Sequence, residues 1–198
     1  MRLDDRARRR RARLRCAYVS VVACGAMSGH VSIAAGSPAG AEKPPPTAGR
    51  CSLAHATPRQ ASARRLAGAL RCLVNRQRRR RGIPRLQDAP ALDHAAQLFA
   101  EGMRRRGYFA HVSPEGRRLR DRVGSADLQA SGEVLAWGCG RFATPAAAVR
   151  GWLASPPHRR LMLSHRYTVI GAGLANGSPV HVCGQAGSTS VVHLGRPR

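Results

Sequence analysis

A carboxylate stands at the entrance to an apolar run in this chain, and that placement restricts the fold more than any other feature. The segment reads Gly132-Glu133-Val134-Leu135-Ala136-Trp137. Val134 to Trp137 is short and apolar enough for a buried strand, which sets Glu133 at its edge. An unpartnered buried carboxylate is costly, so a partner must be folded against it. Two imidazoles are candidates. His111 lies upstream in Tyr108-Phe109-Ala110-His111-Val112-Ser113-Pro114-Glu115-Gly116. His158 lies downstream in Trp152-Leu153-Ala154-Ser155-Pro156-Pro157-His158-Arg159. One carboxylate and two imidazoles make an open metal site or an acid/base site when the fold joins them.

The elements around these residues follow from periodicity and punctuation. Leu66, Leu70, Leu73 and Val74 share one face, which predicts a helix over 63–81, ended by Gly82 and Pro84. Arg78 to Arg81 then occupy its last turn, as a solvated cap on the helix dipole or a polyanion patch. A second helix is expected from Pro90 to Arg106, with Gly107 at its end and Leu92, Ala95, Phe99 and Met103 as its buried stripe. His94, beside that stripe, reads as structural. Tyr108 and Phe109 are expected to anchor the His111 loop, Pro114 to Gly116 reads as a turn, and a helical turn is expected near Leu119 to Val123. Thr144 caps a further helix with Pro145 in its first turn, and Pro156-Pro157 stop it. His158 is then presented at the start of the next turn, over 158–163. A helix N-terminus disfavours imidazole protonation, and neutral imidazole binds metals or accepts protons. The C-terminal part is β, with Val169 to Ala175 and Ser178 to Cys183 flanking the tight-turn signal Asn176-Gly177, and Thr189 to Leu194 as a third strand. His165, His181 and His193 match no motif and read as structural. Helices followed by strands indicate an α+β domain.

Residues 1–41 are expected to form a secretory signal. An Arg-rich start precedes a mildly apolar stretch from Cys16 to Ala35, and Ala39-Gly40-Ala41 suits cleavage. Val21 to Cys24 reads as part of that stretch rather than as a lipoprotein box, and Arg8 to Arg11 could serve twin-arginine export. Residues 42–62, with Pro44-Pro45-Pro46, read as a linker, and 63–198 as the folded domain. No later run of about 20 apolar residues spans a membrane.

The net charge is +24, and +18 for a chain starting at Glu42. It favours polyanion partners such as an anionic wall polymer or a membrane surface. Nucleic acid is excluded by export and by the lack of aromatics among the basic runs. The basic residues are arginine except Lys43, a bias that genome composition accounts for better than phosphate recognition. Four cysteines follow the leader: Cys51, Cys72, Cys139 and Cys183. An even number in an exported chain points to two disulfides with three possible pairings. Of these, Cys51–Cys72 and Cys139–Cys183 are favoured, the first tying the linker to the first helix.

Four segments in order carry a family resemblance: Phe109 to Gly116, Gly132 to Leu135, Trp152 to Arg159 and Ile170 to Gly173. Together they resemble the F-x-H-x-S-P-x-G, G-E-N-[IL], W-x-x-S-P-x-H-R and I-G-x-G pattern of the CAP superfamily, the cysteine-rich secretory, antigen 5 and pathogenesis-related 1 proteins, in its short bacterial SCP-like form. The resemblance covers roughly 64–195. It implies an α-β-α sandwich with a central antiparallel sheet between helical layers. It also implies a cavity lined by His111, Glu133 and His158. Ser155 stands where eukaryotic members carry a second glutamate, so the tetrad becomes a triad. Val134 replaces the usual asparagine, which removes a polar group beside the site.

Three functions follow as expectations. The first is a secreted binding module whose cavity at His111, Glu133, Ser155 and His158 holds a divalent cation, such as zinc, or a small molecule or lipid. The second is a metal-dependent hydrolase acting on cell-envelope material, with water on an ion held by His111, Glu133 and His158. The third is a binder of anionic wall polymer. No catalytic nucleophile is assigned, and the binding module is preferred.

Overall fold

The computed structural model describes residues 51–180, 182–183 and 186–198. The expected leader, the first part of the linker and His181 lie outside them. The elements are α1 (Ala63–Arg79), β1 (Gln87–Asp88), α2 (Pro90–Arg106), α3 (Leu119–Arg122), β2 (Leu128–Cys139), α4 (Pro145–Ala154), α5 (Pro156–Met162), β3 (Val169–Asn176) and β4 (Gly187–Pro197). The sheet order is β1-β3-β4-β2. The three long strands are antiparallel, but β1 pairs with β3 in parallel, so the sheet is mixed rather than purely antiparallel.

Alternation along the strands sends side chains to two helical layers. Val134, Val192, Ala172 and Leu194 face a core with Leu66, Leu70 and Val74 of α1 and Val149 and Trp152 of α4. Leu135, Val191 and Ala175 face Ala96, Phe99, Ala100 and Met103 of α2. The sandwich therefore stands. Thr144 caps α4, its hydroxyl accepting the Ala147 N–H at 3.2 Å. Gly107, at φ 69°, ends α2 in the left-handed conformation that glycine adopts cheaply.

The Ile170-Gly171-Ala172-Gly173 motif acquires a physical meaning here. A Cβ on Gly171 would overlap the backbone of Leu92, and one on Gly173 the backbone of Ala96. Helix α2 thus lies directly on β3. Beyond the two residues of β1, the edge of β3 is bonded by side chains of α2. Asp93 Oδ1 accepts the Ala172 N–H at 2.7 Å, and Gln97 both accepts from and donates to Leu174 at 3.0 Å. Two side chains one helical turn apart replace a neighbouring strand.

Three expectations are corrected. Ser178 to Cys183 forms no strand among its described residues. Pro179 cannot donate to a ladder, and Cys183 is bridged to Cys139, so the chain leaves the sheet after Gly177 and returns at Gly187. Gly177 donates to Gly187 O at 2.7 Å, and Thr189 Oγ1 to Gly177 O at 2.9 Å, which close the neck of this loop. Secondly, Cys51 and Ala54, read as linker, are buried in the core, and Cys51 is bridged to Cys72, so the domain begins before Ala63. Both disulfides have the favoured pairings, with Cα atoms 5.6 Å apart.

Thirdly, Arg78 is neither a solvated cap nor part of a surface patch. It is 1% exposed, and its guanidinium donates to Pro84 O at 2.8 Å, Met162 O at 3.0 Å, Ser164 O at 2.8 Å and Tyr167 O at 3.5 Å. Carbonyl dipoles replace a carboxylate partner while pinning the loop after α5 to α1. Arg78→Met is expected to cost about 3 kcal/mol in urea unfolding, because these carbonyls lose their donor. A cost below about 1 kcal/mol would show that water replaces the guanidinium.

Candidate functional site

Strand register builds the site. Glu133 of β2 lies directly opposite His193 of β4, and His193 lies opposite Gly171 of β3. All three therefore face α2. Glu133 is 6% exposed. Its Oε2 accepts from His193 Nε2 at 2.9 Å and from Arg122 Nη2 at 2.6 Å, and its Oε1 from His111 Nδ1 at 2.7 Å. The partner demanded by a buried carboxylate is thus a set of three.

Arg122 ends the short helix α3 and organises the loop. Both of its terminal nitrogens donate to His111 O at 3.2 Å, and Nη1 also donates to Arg117 O at 2.9 Å. Its guanidinium carbon lies 3.5 Å from the centroid of the Phe99 ring, a cation–π stack. Of the two aromatics expected to anchor His111, Tyr108 packs on Phe99, while Phe109 is left 39% exposed. The His111 side chain is 57% exposed. With Nδ1 bonded to Glu133, Nε2 is the ring nitrogen left for another partner.

His158 lies in the first turn of α5 and is half-buried. Burial pushes its pKa down, and the nearby charge of His111 pushes it further the same way. The direction matches the expectation, but burial rather than the helix dipole leads. The structure therefore brings His111 and Glu133 into contact and sets His158 within electrostatic reach of His111. Ser155 caps α5 through its backbone, and no hydrogen bond joins its hydroxyl to these groups among the described residues. Val134 is fully buried on the opposite face of the sheet. Its substitution for asparagine therefore acts on the α1 core and not on the site, since neighbouring strand residues point opposite ways.

Burial alone would raise the Glu133 pKa. Hydrogen bonds from His111 and His193, and the charge of Arg122, overcome it and hold the carboxyl down at about 2. Both oxygens are thereby committed. Among the described residues, no three His, Cys, Asp or Glu side chains are grouped to hold a metal ion. An ion bound to Glu133 would have to displace Arg122, 2.6 Å from Oε2, or His111, 2.7 Å from Oε1. Among the described residues, no serine hydroxyl or thiol is bonded to an imidazole either.

His193 and Arg122 were not recognised from sequence. Pairing 189–194 with the Glu133 strand would have exposed His193. Arg122 lies in a stretch crowded with arginines, where nothing local distinguishes it.

The CAP model, described as the cysteine-rich secretory protein family, matches residues 72–185. An uncharacterized membrane protein, YlbC, of Bacillus subtilis (strain 168) is 36% identical over 105 residues, covering 52% of this chain and 29% of that protein. An uncharacterized protein of the same strain, YkwD, is 29% identical over 110 residues, covering 54% and 42%. The chain thus spans less than half the length of these relatives. Among solved structures, an extracellular protein containing an SCP domain from Bacillus anthracis str. Ames has a TM-score of 0.59 at 25% identity, over 70% of this chain and 42% of that one. An outer surface protein from Borrelia burgdorferi has a TM-score of 0.56 at 18% identity, over 65% of this chain and 90% of that one, a likeness of fold alone. With the family model matching more than half of its length and the Glu133 site built on the motifs that pointed there, the chain belongs to the cysteine-rich secretory protein (CAP) family.

Proposed function

We propose that this chain is a secreted or envelope-associated binding module that receives a small polar ligand at His111 and His158. One observation carries the reading: buried Glu133 holds an exposed imidazole in a fixed orientation, with His111 Nδ1 at 2.7 Å. An oriented imidazole nitrogen beside a second, half-buried imidazole favours a ligand that offers hydroxyl or other hydrogen-bond donors. The two disulfides and the likeness to an extracellular SCP-domain protein support placement outside the cytoplasm. The described residues contain no helix long and apolar enough to cross a membrane. A binding role is favoured over hydrolysis because, among the described residues, neither a metal set nor an activated nucleophile accompanies the imidazoles.

The test is a screen of small polyols and hydroxy acids by protein-observed NMR, alongside calorimetric titration with Zn²⁺ near neutral pH. Hits are expected to shift the His111 and His158 ring resonances and to disappear in His111→Ala/His158→Ala. Zn²⁺ is expected to give no tight binding. Tight Zn²⁺ binding that disappears in the same double variant would replace this reading with a metal site. Hits that persist in the double variant would remove the imidazole pair from it.

A further inference from the structure

Arg122 has a second neighbourhood. With Leu98, Phe99, Arg105, Tyr108 and Arg117 it lines a cavity of about 220 Å³ between α2 and the loop that follows it. His111, Glu133 and His158 are not among its lining residues, so it is a separate space. It does not rest on the reading of the imidazole pair.

The cavity is amphipathic. Tyr108, packed with its centroid 6.3 Å from that of the buried Phe99 ring, forms an apolar surface with Leu98, which is left 55% exposed. Gly102 keeps the helix side open, since a Cβ there would meet only the Tyr108 hydroxyl, at 3.8 Å. The charge is uneven. Four arginines line the cavity; Arg106 is paired with Glu115 and Arg122 with Glu133, which leaves Arg105 and Arg117 without a carboxylate among the described residues. Arg105 makes no hydrogen bond or ion pair among the described residues. Arg122 forms a wall of the cavity rather than a free cation, since its side chain is only 8% exposed and its terminal nitrogens are committed to Glu133, His111 and Arg117.

We infer that this cavity binds a small amphipathic anion, a carboxylate or phosphate held by Arg105 with a single ring or short chain against Tyr108 and Leu98. The volume sets the size. Pockets for larger organic ligands run from about 300 Å³ upward, so a ring or a chain of about six carbons fits and a lipid tail does not.

Phenyl phosphate is the probe, titrated into the oxidised protein and followed by NMR and calorimetry. Binding is expected with a dissociation constant on the order of 1 mM or tighter, given the yield per atom of small ligands. Gly102→Leu, which fills the cavity from α2, is expected to abolish it. Arg105→Ala, a surface change that spares folding, should weaken it about tenfold, the scale of one charge-assisted hydrogen bond. His111→Ala/His158→Ala should leave it unchanged, which separates this cavity from the imidazole site. Equal affinity for inorganic phosphate would overturn the amphipathic assignment. Binding lost in the double histidine variant but retained in Gly102→Leu, or no binding at millimolar probe, would overturn the proposal.

Discussion

Gly173→Ala is expected to lower the stability of the oxidised protein by about 3 kcal/mol or more, measured by guanidinium unfolding with the disulfides intact. The new methyl group would overlap the Ala96 backbone of α2, which cannot rotate away as a side chain can. Helix and sheet would have to separate. Separation would lengthen the bonds from Asp93 to the Ala172 N–H and from Gln97 to Leu174, leaving polar groups of β3 unpaired. Phe99 and Met103, buried by the same helix, would loosen with them. A loss below about 1 kcal/mol would mean that α2 adjusts freely, and the reading of the glycine pair as a docking surface would fail. Gly151 is the control, since a Cβ there meets nothing within 4 Å.

Glu133→Gln is expected to cost about 3 kcal/mol at neutral pH. The Glu133 carboxyl has its pKa lowered from 4.5 to about 2 in the folded protein. A depressed carboxylate contributes stability above its unfolded pKa and loses it as pH falls through the folded value. A shift of this size corresponds to roughly 3 kcal/mol. The difference between wild type and Glu133→Gln should therefore be full above about pH 5 and shrink steadily toward about pH 2. A cost independent of pH would assign the loss to shape rather than charge. The variant also leaves Arg122 without its carboxylate, which adds to the cost at neutral pH because a buried cation loses its partner. Near pH 7 the imidazole hydrogen bonds weaken in the variant, so the His111 loop should exchange its backbone amides faster than in wild type.

These two expectations rest on different kinds of information. The sequence was sufficient for whatever depends on neighbours along the chain. Leu66, Leu70 and Val74 recur at helical spacing, and α1 buries that face. Pro90 and Gly107 bracket α2, and Thr144-Pro145 opens α4. Each signal is local, because helix hydrogen bonds and caps close within four residues. The demand that Glu133 find a partner was also legible, since desolvation of a carboxylate needs no knowledge of the fold.

What the sequence left undecided is non-local. Ser178 to Cys183 follows the turn signal Asn176-Gly177 and carries β-branched residues, yet Cys183 is bridged to Cys139, and β3 pairs instead with a strand starting at Gly187. The register of that strand with β2 sets His193 opposite Glu133. Val134 illustrates the same point. Its place beside Glu133 in sequence put it at the site, whereas strand alternation turned it to the far core. Arg78 and Arg122 look like any other arginines of this chain, and no local pattern separates them from solvated ones. Their partners are carbonyls and a carboxylate brought from other elements. Local chemistry thus determined which segments fold and which group needed neutralising, while tertiary structure alone decided which cations do it, because chain packing and not sequence spacing sets the distances over which charges and hydrogen bonds act.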